Sequence, residues 1–320
     1  MAQAENSALP ATVGVSLRDV GHPQFVDTTV QLPKERTFDT LLLRVLVFAG
    51  GFCGIGIELG ASRLIAPYFG SSTFIWANLI GLTLLYLSIG YYLGGRVADR
   101  FPNPLILYTL TAVAALVTGL IPLMSRPILA ASLSAFDRFS VGAFYGSLIA
   151  VLLLLAIPIT LLGFVTPYVI RLRMSRVDHS GQTAGNIYAL STLGSIAGSF
   201  VPVLVLIPLM GTAQAFLVLS FALLVPSIIG LLLLRAVVPA VAAGLFGVAL
   251  FVLTSISGSA PVRPAQRGVL VYETESADNY IQVLNENGTY LLALNEGHAV
   301  HSIYDPKEIL TRGPWDYFMV

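Results

Sequence analysis

Seven long apolar runs constrain the fold of this chain more than any other feature of its sequence. The runs are Leu41–Ala66, Phe74–Leu93, Leu105–Met124, Val141–Val165, Thr183–Ile207, Ala213–Leu234 and Val237–Ile256. About 20 apolar residues in a helix cross about 30 Å of hydrocarbon, and in lipid each backbone polar group must be paired within the segment. The sequence therefore predicts an α-helical multi-pass bundle of about seven spans, with the lipid bilayer as partner and the cell (plasma) membrane as location.

Charge and cysteine content narrow the class further. Charged residues make up 11% of the 320 residues, against about 25% in soluble domains. The formal net charge is +0, which gives no electrostatic case for a nucleic-acid partner. The single cysteine, Cys53, lies inside an apolar run, so a disulfide framework or a cysteine metal cluster within one chain is excluded.

The chain is expected to have four parts. Residues 1–40 are polar and lack the apolar core of a signal peptide, so they are interpreted as a flexible tail. The helical domain covers residues 41–256. Prolines, small residues and arginines mark 257–268 as a linker, and residues 269–320 alternate in polarity as β-strands do.

Two local patterns refine this division. Asn287–Gly288 separates two alternating runs, and this dipeptide predicts a tight β-hairpin because it suits positive φ at both turn positions. The segment Pro127–Phe139 is too short and too polar to span a membrane, which predicts an interfacial helix.

The distribution of basic residues predicts the orientation. If the N-terminus lies inside, the inner side holds nine basic residues: Lys34, Arg36, Arg44, Arg96, Arg100, Arg171, Arg173, Arg176 and Arg235. The outer side then holds five: Arg63, Arg126, Arg138, Arg263 and Arg267. This excess favours a cytoplasmic N-terminus. Seven spans would place the C-terminal segment outside, whereas an eighth crossing or a re-entrant segment would place it inside.

Glycines recur at helical spacing within the apolar runs. The pairs Gly50–Gly54, Gly56–Gly60, Gly90–Gly94 and Gly194–Gly198 predict close helix–helix packing, because small residues let two backbones approach. A substrate pathway lined by these glycines is the alternative interpretation.

Four polar residues in or beside the spans are candidate functional groups. Glu58 lies deep in the first run, where a charge costs about 3 kcal/mol unless it is paired or hydrated. Arg63 follows five residues later, a spacing less suited to pairing than three or four. Asp99 lies in GGRVADR, which resembles the short basic loop of major-facilitator transporters, or else forms a helix-end salt bridge. Asn186 is suited to a hydrogen bond across helices.

Several stretches resemble one family of proteins. GIELGASRLIAPYFGSS, GGRVADR and GNIYALSTLGSIAGSF are similar to the membrane part of fused spermidine synthase-like proteins. The tail, VYETESADNYIQVLNENGTYLLALNEGHAVHSIYDP followed by LTRGPWDYF, resembles the N-terminal β-domain of polyamine aminopropyltransferases.

The resemblance implies an enzymatic function for which this sequence has only some of the required residues. The family transfers an aminopropyl group from decarboxylated S-adenosylmethionine to putrescine. Its nucleotide loop and catalytic aspartates lie in a Rossmann-like domain that follows the β-domain, and no such motif occurs here. We therefore expect a fragment or a natural short form, with catalytic residues unknown, no cofactor in this chain and no activity by itself. A missing or separately encoded Rossmann-like domain and a homodimer are the partners that the resemblance implies.

The resemblance carries over two candidate substrate-binding residues. His301 stands where the family has a glutamine, and Tyr317 stands near a substrate-side tyrosine of the family. The histidine puts polyamine specificity in doubt. No metal site is expected from His298 and His301, because residues three apart do not converge in a strand.

Two other functions remain open from the sequence. The first is a transporter-like bundle for polyamines or a related small amine, which Glu58 and the GGRVADR loop favour. The second is a scaffold whose tail completes a separately encoded catalytic domain.

Overall fold

Seven helices and a four-stranded sheet make up the described part of the chain. The computed structural model describes residues 37–136, 142–174, 180–257, 263–276, 279–295, 297 and 300–318. All of these belong to the second of the two units into which the chain divides, Thr37–Val320.

The helices agree in number and order with the apolar runs. They are α1 (Thr37–Phe69), α2 (Thr73–Arg100), α3 (Pro104–Phe136), α4 (Gly142–Arg173), α5 (Ser180–Met210), α6 (Thr212–Leu233) and α7 (Val237–Ser257). Each of these seven is long and apolar enough to cross a membrane. Over the described residues, the predicted bundle of seven apolar helices is therefore confirmed, and it is compatible with a multi-pass membrane protein.

Most helices extend beyond the runs that predicted them. Helix α1 begins at Thr37, so the end of the predicted polar tail is helical. The prediction of a separate interfacial helix over Pro127–Phe139 is wrong, because residues 127–136 continue α3. Ser125 Oγ donates to the carbonyl of Pro122 at 2.8 Å in the turn before Pro127, as polar side chains do where proline interrupts a membrane helix. Residues 137–139, and Val141 of the predicted fourth span, lie outside the described residues.

Helix α5 contains a change of helical register. Its segment Pro202–Leu206 is a π-helix, in which the amide of Ile207 donates to the carbonyl of Pro202. Proline lacks an N–H, and a local π-turn restores hydrogen bonds around it. The helix ends at Met210, and the φ of 83° at Gly211 allows this one residue to separate α5 from α6.

Glycines set the closest helix contacts. A Cβ atom on Gly194 or Gly198 would overlap the carbonyl oxygen of Phe48 or Phe52, so α5 lies directly on the backbone of α1. A Cβ on Gly90 would overlap the carbonyl oxygen of Thr160 on α4. The packing prediction is confirmed at these positions. It is wrong for Gly54, around which a Cβ would meet nothing within 4 Å.

The C-terminal segment forms an antiparallel meander in the order β1-β2-β3-β4. The strands are β1 (Val269–Glu275), β2 (Tyr280–Glu286), β3 (Thr289–Leu294) and β4 (Val300–Tyr304). Glu286 pairs with Thr289 across the turn, where Asn287 has a φ of 56° and Gly288 a φ of 96°. The predicted hairpin is therefore confirmed. A short 3₁₀ helix, Pro314–Phe318, follows β4.

The sheet lies at the end of the bundle opposite to the start of α1. Residues of β1 and β2 share a cavity with Arg63 and Pro67 in the last turns of α1, with the first turns of α2, and with Thr212 at the start of α6. The number of helices leads to the same placement, because seven successive crossings, an odd number, put the two ends of the helical domain on opposite sides. The start of α1 and the sheet therefore lie on opposite faces of the bundle.

We predict that Gly194→Ala destabilises the bundle, because a methyl group would push α5 off the backbone of α1. Overpacking of this kind costs about 1–3 kcal/mol. The measurement is thermal unfolding in detergent, followed by the reaction of Cys53, which is fully buried, with a maleimide dye. Gly54→Ala is the matched control, since its Cβ would meet open space. Equal unfolding midpoints for the two variants would contradict the assignment of this contact.

Candidate functional site

An arginine from the predicted linker binds the end of α1. Arg263 is only 5% exposed, and its Nη1 donates to the carbonyl oxygen of Pro67 at 2.6 Å. The last carbonyls of a helix have no partner within the helix, and a cation there also interacts favourably with the helix dipole. The guanidinium carbon lies 5.9 Å from the centre of the Tyr68 ring. The described end of the linker is therefore an anchor to the bundle.

A carboxylate from β1 binds the start of α6 in the complementary way. Glu275 Oε2 accepts from the amide of Thr212 at 2.8 Å and from its hydroxyl at 2.9 Å. The first amides of a helix have no partner within the helix, and an anion is favoured at that end. Thus Arg263 and Glu275 each pair a backbone group that the helix leaves unpaired at its end, and each has the charge that the helix dipole favours there.

Buried polar groups of β2 hold Arg263 in place. The Tyr280 hydroxyl oxygen accepts from the amide of Arg263 at 3.2 Å and from Gln282 Nε2 at 2.8 Å. Gln282 Nε2 also donates to the carbonyl of Arg263 at 2.9 Å. Burial, and then the negative charge of Glu273, raise the pKa of Tyr280 above its ordinary range. The phenol therefore stays neutral at pH 7.

A cavity of about 180 Å³ lies where the helices meet the sheet. We call it the junction cavity. Its lining residues are Ser62, Arg63, Ala66, Pro67, Gly70, Ser71, Ile75, Trp76, Leu79, Ile207, Thr212, Glu275, Ser276, Asn279, Tyr280 and Asn295. The helices supply an apolar wall, and the sheet supplies most of the polar groups. A cavity of this size and mixed lining is suited to a small amphiphilic molecule.

Two opposite charges line the junction cavity without pairing with each other. Arg63 forms no ion pair or hydrogen bond with any described residue. Glu275 uses Oε2 for both contacts with Thr212, and its Oε1 accepts no hydrogen bond from the described residues. The cavity therefore offers a ligand both cationic hydrogen-bond donors, on Arg63, and an anionic acceptor, on Glu275.

Glu58 and Arg63, whose spacing of five residues is less suited to pairing, form no ion pair with each other in the structure. Both lie on α1, where Arg63 lines the junction cavity and Glu58 does not. Glu58 is half-buried and has no hydrogen-bond or ion-pair partner in the described part of the chain. Of this pair, the structure brings only Arg63 to the candidate site.

Asp99 and Asn186 lie at the opposite end of the bundle. Asp99 Oδ1 is 3.0 Å from Arg171 Nε, which forms an exposed salt bridge between α2 and α4. Exposed pairs of this kind contribute about 0–1 kcal/mol. Asn186 is exposed and lines a smaller cavity with Thr40 and Arg173. It makes no hydrogen bond across helices to any described residue.

His301 and Tyr317 do not line either cavity. His301 is exposed on β4, the edge strand furthest from β1, and Tyr317 is 85% exposed on the 3₁₀ helix. Among the described residues, no group of three or more His, Cys, Asp or Glu could hold a metal ion. Position 298 lies outside the described residues.

Sequence reasoning missed Arg263 and Glu275 as contact residues. Arg263 stood in a proline-rich segment, and Glu275 stood at the end of an alternating run, so each was typical of an exposed position. Gly211–Thr212 between two apolar runs was the available signal, because a helix that starts there needs partners for its first amides.

No family model matches this chain, and no curated protein or solved structure matches it.

We predict that Arg263→Met detaches the sheet from α1. The substitution keeps the aliphatic stem but leaves the Pro67 carbonyl without its donor, and a hydrogen bond to a charged group contributes about 1.5–3 kcal/mol. Hydrogen–deuterium exchange should accelerate in peptides covering β2 and the start of α6. Arg267→Met is the control, because Arg267 is exposed. The same exchange in both variants would show that Arg263 is not an anchor.

We predict that alkaline pH weakens this attachment through Tyr280. Its pKa is raised in the folded state, so its contribution to stability is complete below the unfolded-state pKa of about 10 and is lost as pH rises above that value. Tyr280→Phe should reduce the steepness with which unfolding stability falls between about pH 10 and 12. Chemical unfolding at several pH values measures this slope, and parallel slopes in both proteins would contradict the prediction.

Proposed function

We propose that this chain is the membrane-anchored, β-sheet-bearing part of a spermidine synthase-like aminopropyltransferase. The observation that carries the proposal is the apolar surface beyond β4, on a sheet whose sequence resembles the β-domain of that family. Tyr304 is 64%, Ile309 81% and Tyr317 85% exposed, and Leu310 is also exposed. These four residues lie close together along the chain, between positions 304 and 317, and contiguous exposed apolar surface marks interaction sites. A Rossmann-like catalytic domain is the partner proposed for this surface.

Two carboxylates that follow β4 already bind backbone turns, which supports placing the catalytic carboxylate on the proposed partner domain. Aminopropyl transfer requires an amine to attack the carbon next to a sulfonium while a carboxylate accepts the proton of the amine. Asp305 accepts from Thr289 and Lys307, and Asp316 accepts from the amides of Thr311, Arg312 and Gly313. These carboxylates organise backbone turns. The proposed catalytic carboxylate and the site for decarboxylated S-adenosylmethionine therefore belong to the partner domain.

We predict that a charged side chain at position 309 separates the apolar surface beyond β4 from the proposed catalytic domain. In membranes of the source organism, Ile309→Glu should lower spermidine formation from decarboxylated S-adenosylmethionine and putrescine at least about tenfold, because interface anchors contribute 2 kcal/mol or more. Mass spectrometry of the product gives the rate. Lys307→Glu, an exposed neighbour, is the control. The proposal fails if membranes with and without this protein form the product at equal rates, or if the two variants behave alike.

The proposed orientation places the start of α1 inside the cell and the sheet outside. The excess of basic residues on the α1-start face supports it. We predict that a membrane-impermeant maleimide labels Glu286→Cys on intact cells and labels Pro102→Cys only after permeabilisation. Native Cys53 is fully buried and gives no background. The reverse pattern would overturn the orientation, and labelling of both from one side would contradict the opposite placement of these residues.

A transporter is the second candidate, and α5 favours it. Its π-segment begins at Pro202, which packs against Gly56 of α1. Glu58, two residues further along α1, has no partner among the residues that the structure describes. Interrupted helices beside a membrane carboxylate occur at transporter binding sites. Proteoliposomes containing the purified protein test this function. Saturable uptake of labelled putrescine that is lost in Glu58→Gln would favour transport, and uptake equal to that of empty vesicles would exclude it for putrescine.

A further inference from the structure

We propose that the junction cavity binds a compact zwitterion, with its anionic group at Arg63 and its ammonium group at Glu275. The two side chains have opposite charges and line the same cavity of about 180 Å³, yet they form no ion pair with each other. Both side chains are half-buried, and a charge that is partly removed from water is stabilised by a partner of opposite charge. A ligand that carries both charges satisfies Arg63 and Glu275 at once.

Each charged group has capacity for a ligand. The Arg63 guanidinium has five N–H donors in a planar fork, which suits a carboxylate or a phosphate. Arg63 uses none of them for a described residue. Glu275 Oε2 accepts both hydrogen bonds from Thr212. Its Oε1 accepts none from the described residues and can accept from an ammonium group. The anchoring of α6 and the binding of a ligand are therefore compatible at Glu275.

The rest of the lining selects the ligand further. Ile75, Trp76, Leu79 and Ile207 form an apolar wall that suits a short hydrocarbon chain. A cavity of about 150 Å³ holds benzene, so this one suits a molecule the size of a medium α-amino acid. A diamine fits poorly, because its second cation would lie near Arg63 while the guanidinium stayed unpaired.

Two sources supply this chemistry. One is a free α-amino acid with an apolar side chain. The other is the phosphoethanolamine headgroup of a lipid, since the cavity lies at the ends of α1, α2 and α6. Both present an ammonium and an anion a few bonds apart, and both require Arg63 and Glu275. This inference is independent of the aminopropyltransferase proposal, because the cavity adjoins β1 and not the apolar surface beyond β4.

The test compares three probes of similar shape on the purified full chain in detergent. L-Leucine carries both charges, 4-methylpentanoate carries only the anion, and 3-methylbutylamine carries only the cation. Thermal unfolding followed by Cys53 labelling should show that leucine stabilises the protein and that neither analogue matches it. A parallel arm compares nanodiscs containing phosphatidylethanolamine with nanodiscs of phosphatidylglycerol alone.

The variants separate binding from folding. Arg63→Gln should weaken the apparent affinity for the zwitterion at least about tenfold, because it removes a charge-assisted pair. Glu275→Gln should do the same while retaining an acceptor for Thr212. Arg267→Gln removes an exposed charge outside the cavity, so this variant should bind the zwitterion as the wild type does.

Each outcome is decisive. Stabilisation by leucine that is lost in Arg63→Gln assigns a free amino acid, and stabilisation by phosphatidylethanolamine alone that is lost in Arg63→Gln assigns a lipid headgroup. Equal stabilisation by the single-charge analogues, equal affinity in Arg63→Gln and Arg267→Gln, or no stabilisation in either arm would overturn the proposal.

Discussion

The contact between helix ends and the sheet depends on backbone groups that no helix can pair for itself. The carbonyl of Pro67 near the end of α1 and the amide of Thr212 at the start of α6 receive Arg263 and Glu275, respectively. Each charge has the sign that the helix end favours, so hydrogen bonding and the helix dipole act in the same direction. Removal of either side chain would leave an unpaired helix-end group, and this cost fixes the sheet against the helices.

Helix α1 connects this contact to the rest of the bundle. Its middle lies against α5 at Gly194 and Gly198, and its last turn holds Arg263 through Pro67. Without a hydrophobic driving force between helices in lipid, close backbone packing is a main source of their association. The position of the sheet is therefore set by the same helix that the glycines of α5 hold in place.

The sequence predicted those features that depend on local pattern and failed where distant residues meet. Span number follows from length and hydropathy, and the hairpin follows from Asn287–Gly288, because both are local properties. The contact of Arg263 with Pro67 joins residues 196 positions apart, and no local pattern specifies it. Asn186 has a side chain suited to an interhelical hydrogen bond, but it lies exposed near the start of α5, and its residue type alone does not specify that position. The junction cavity needs residues from four helices, from two strands and from the turns that follow α1, β1 and β3, so it became visible only in three dimensions.

The two proposed binding regions lie at different ends of one sheet. Glu275 belongs to β1, and the apolar surface begins at Tyr304 on β4, with β2 and β3 between them. Occupation of one region therefore leaves the other accessible. A zwitterion that joins Arg63 of α1 to Glu275 of β1 would add a link parallel to that of Arg263, and so would hold more firmly the sheet on which a catalytic domain is proposed to dock. Ligand binding and domain docking would then be coupled only through the rigidity of β2 and β3, whose paired backbone is continuous between the two regions.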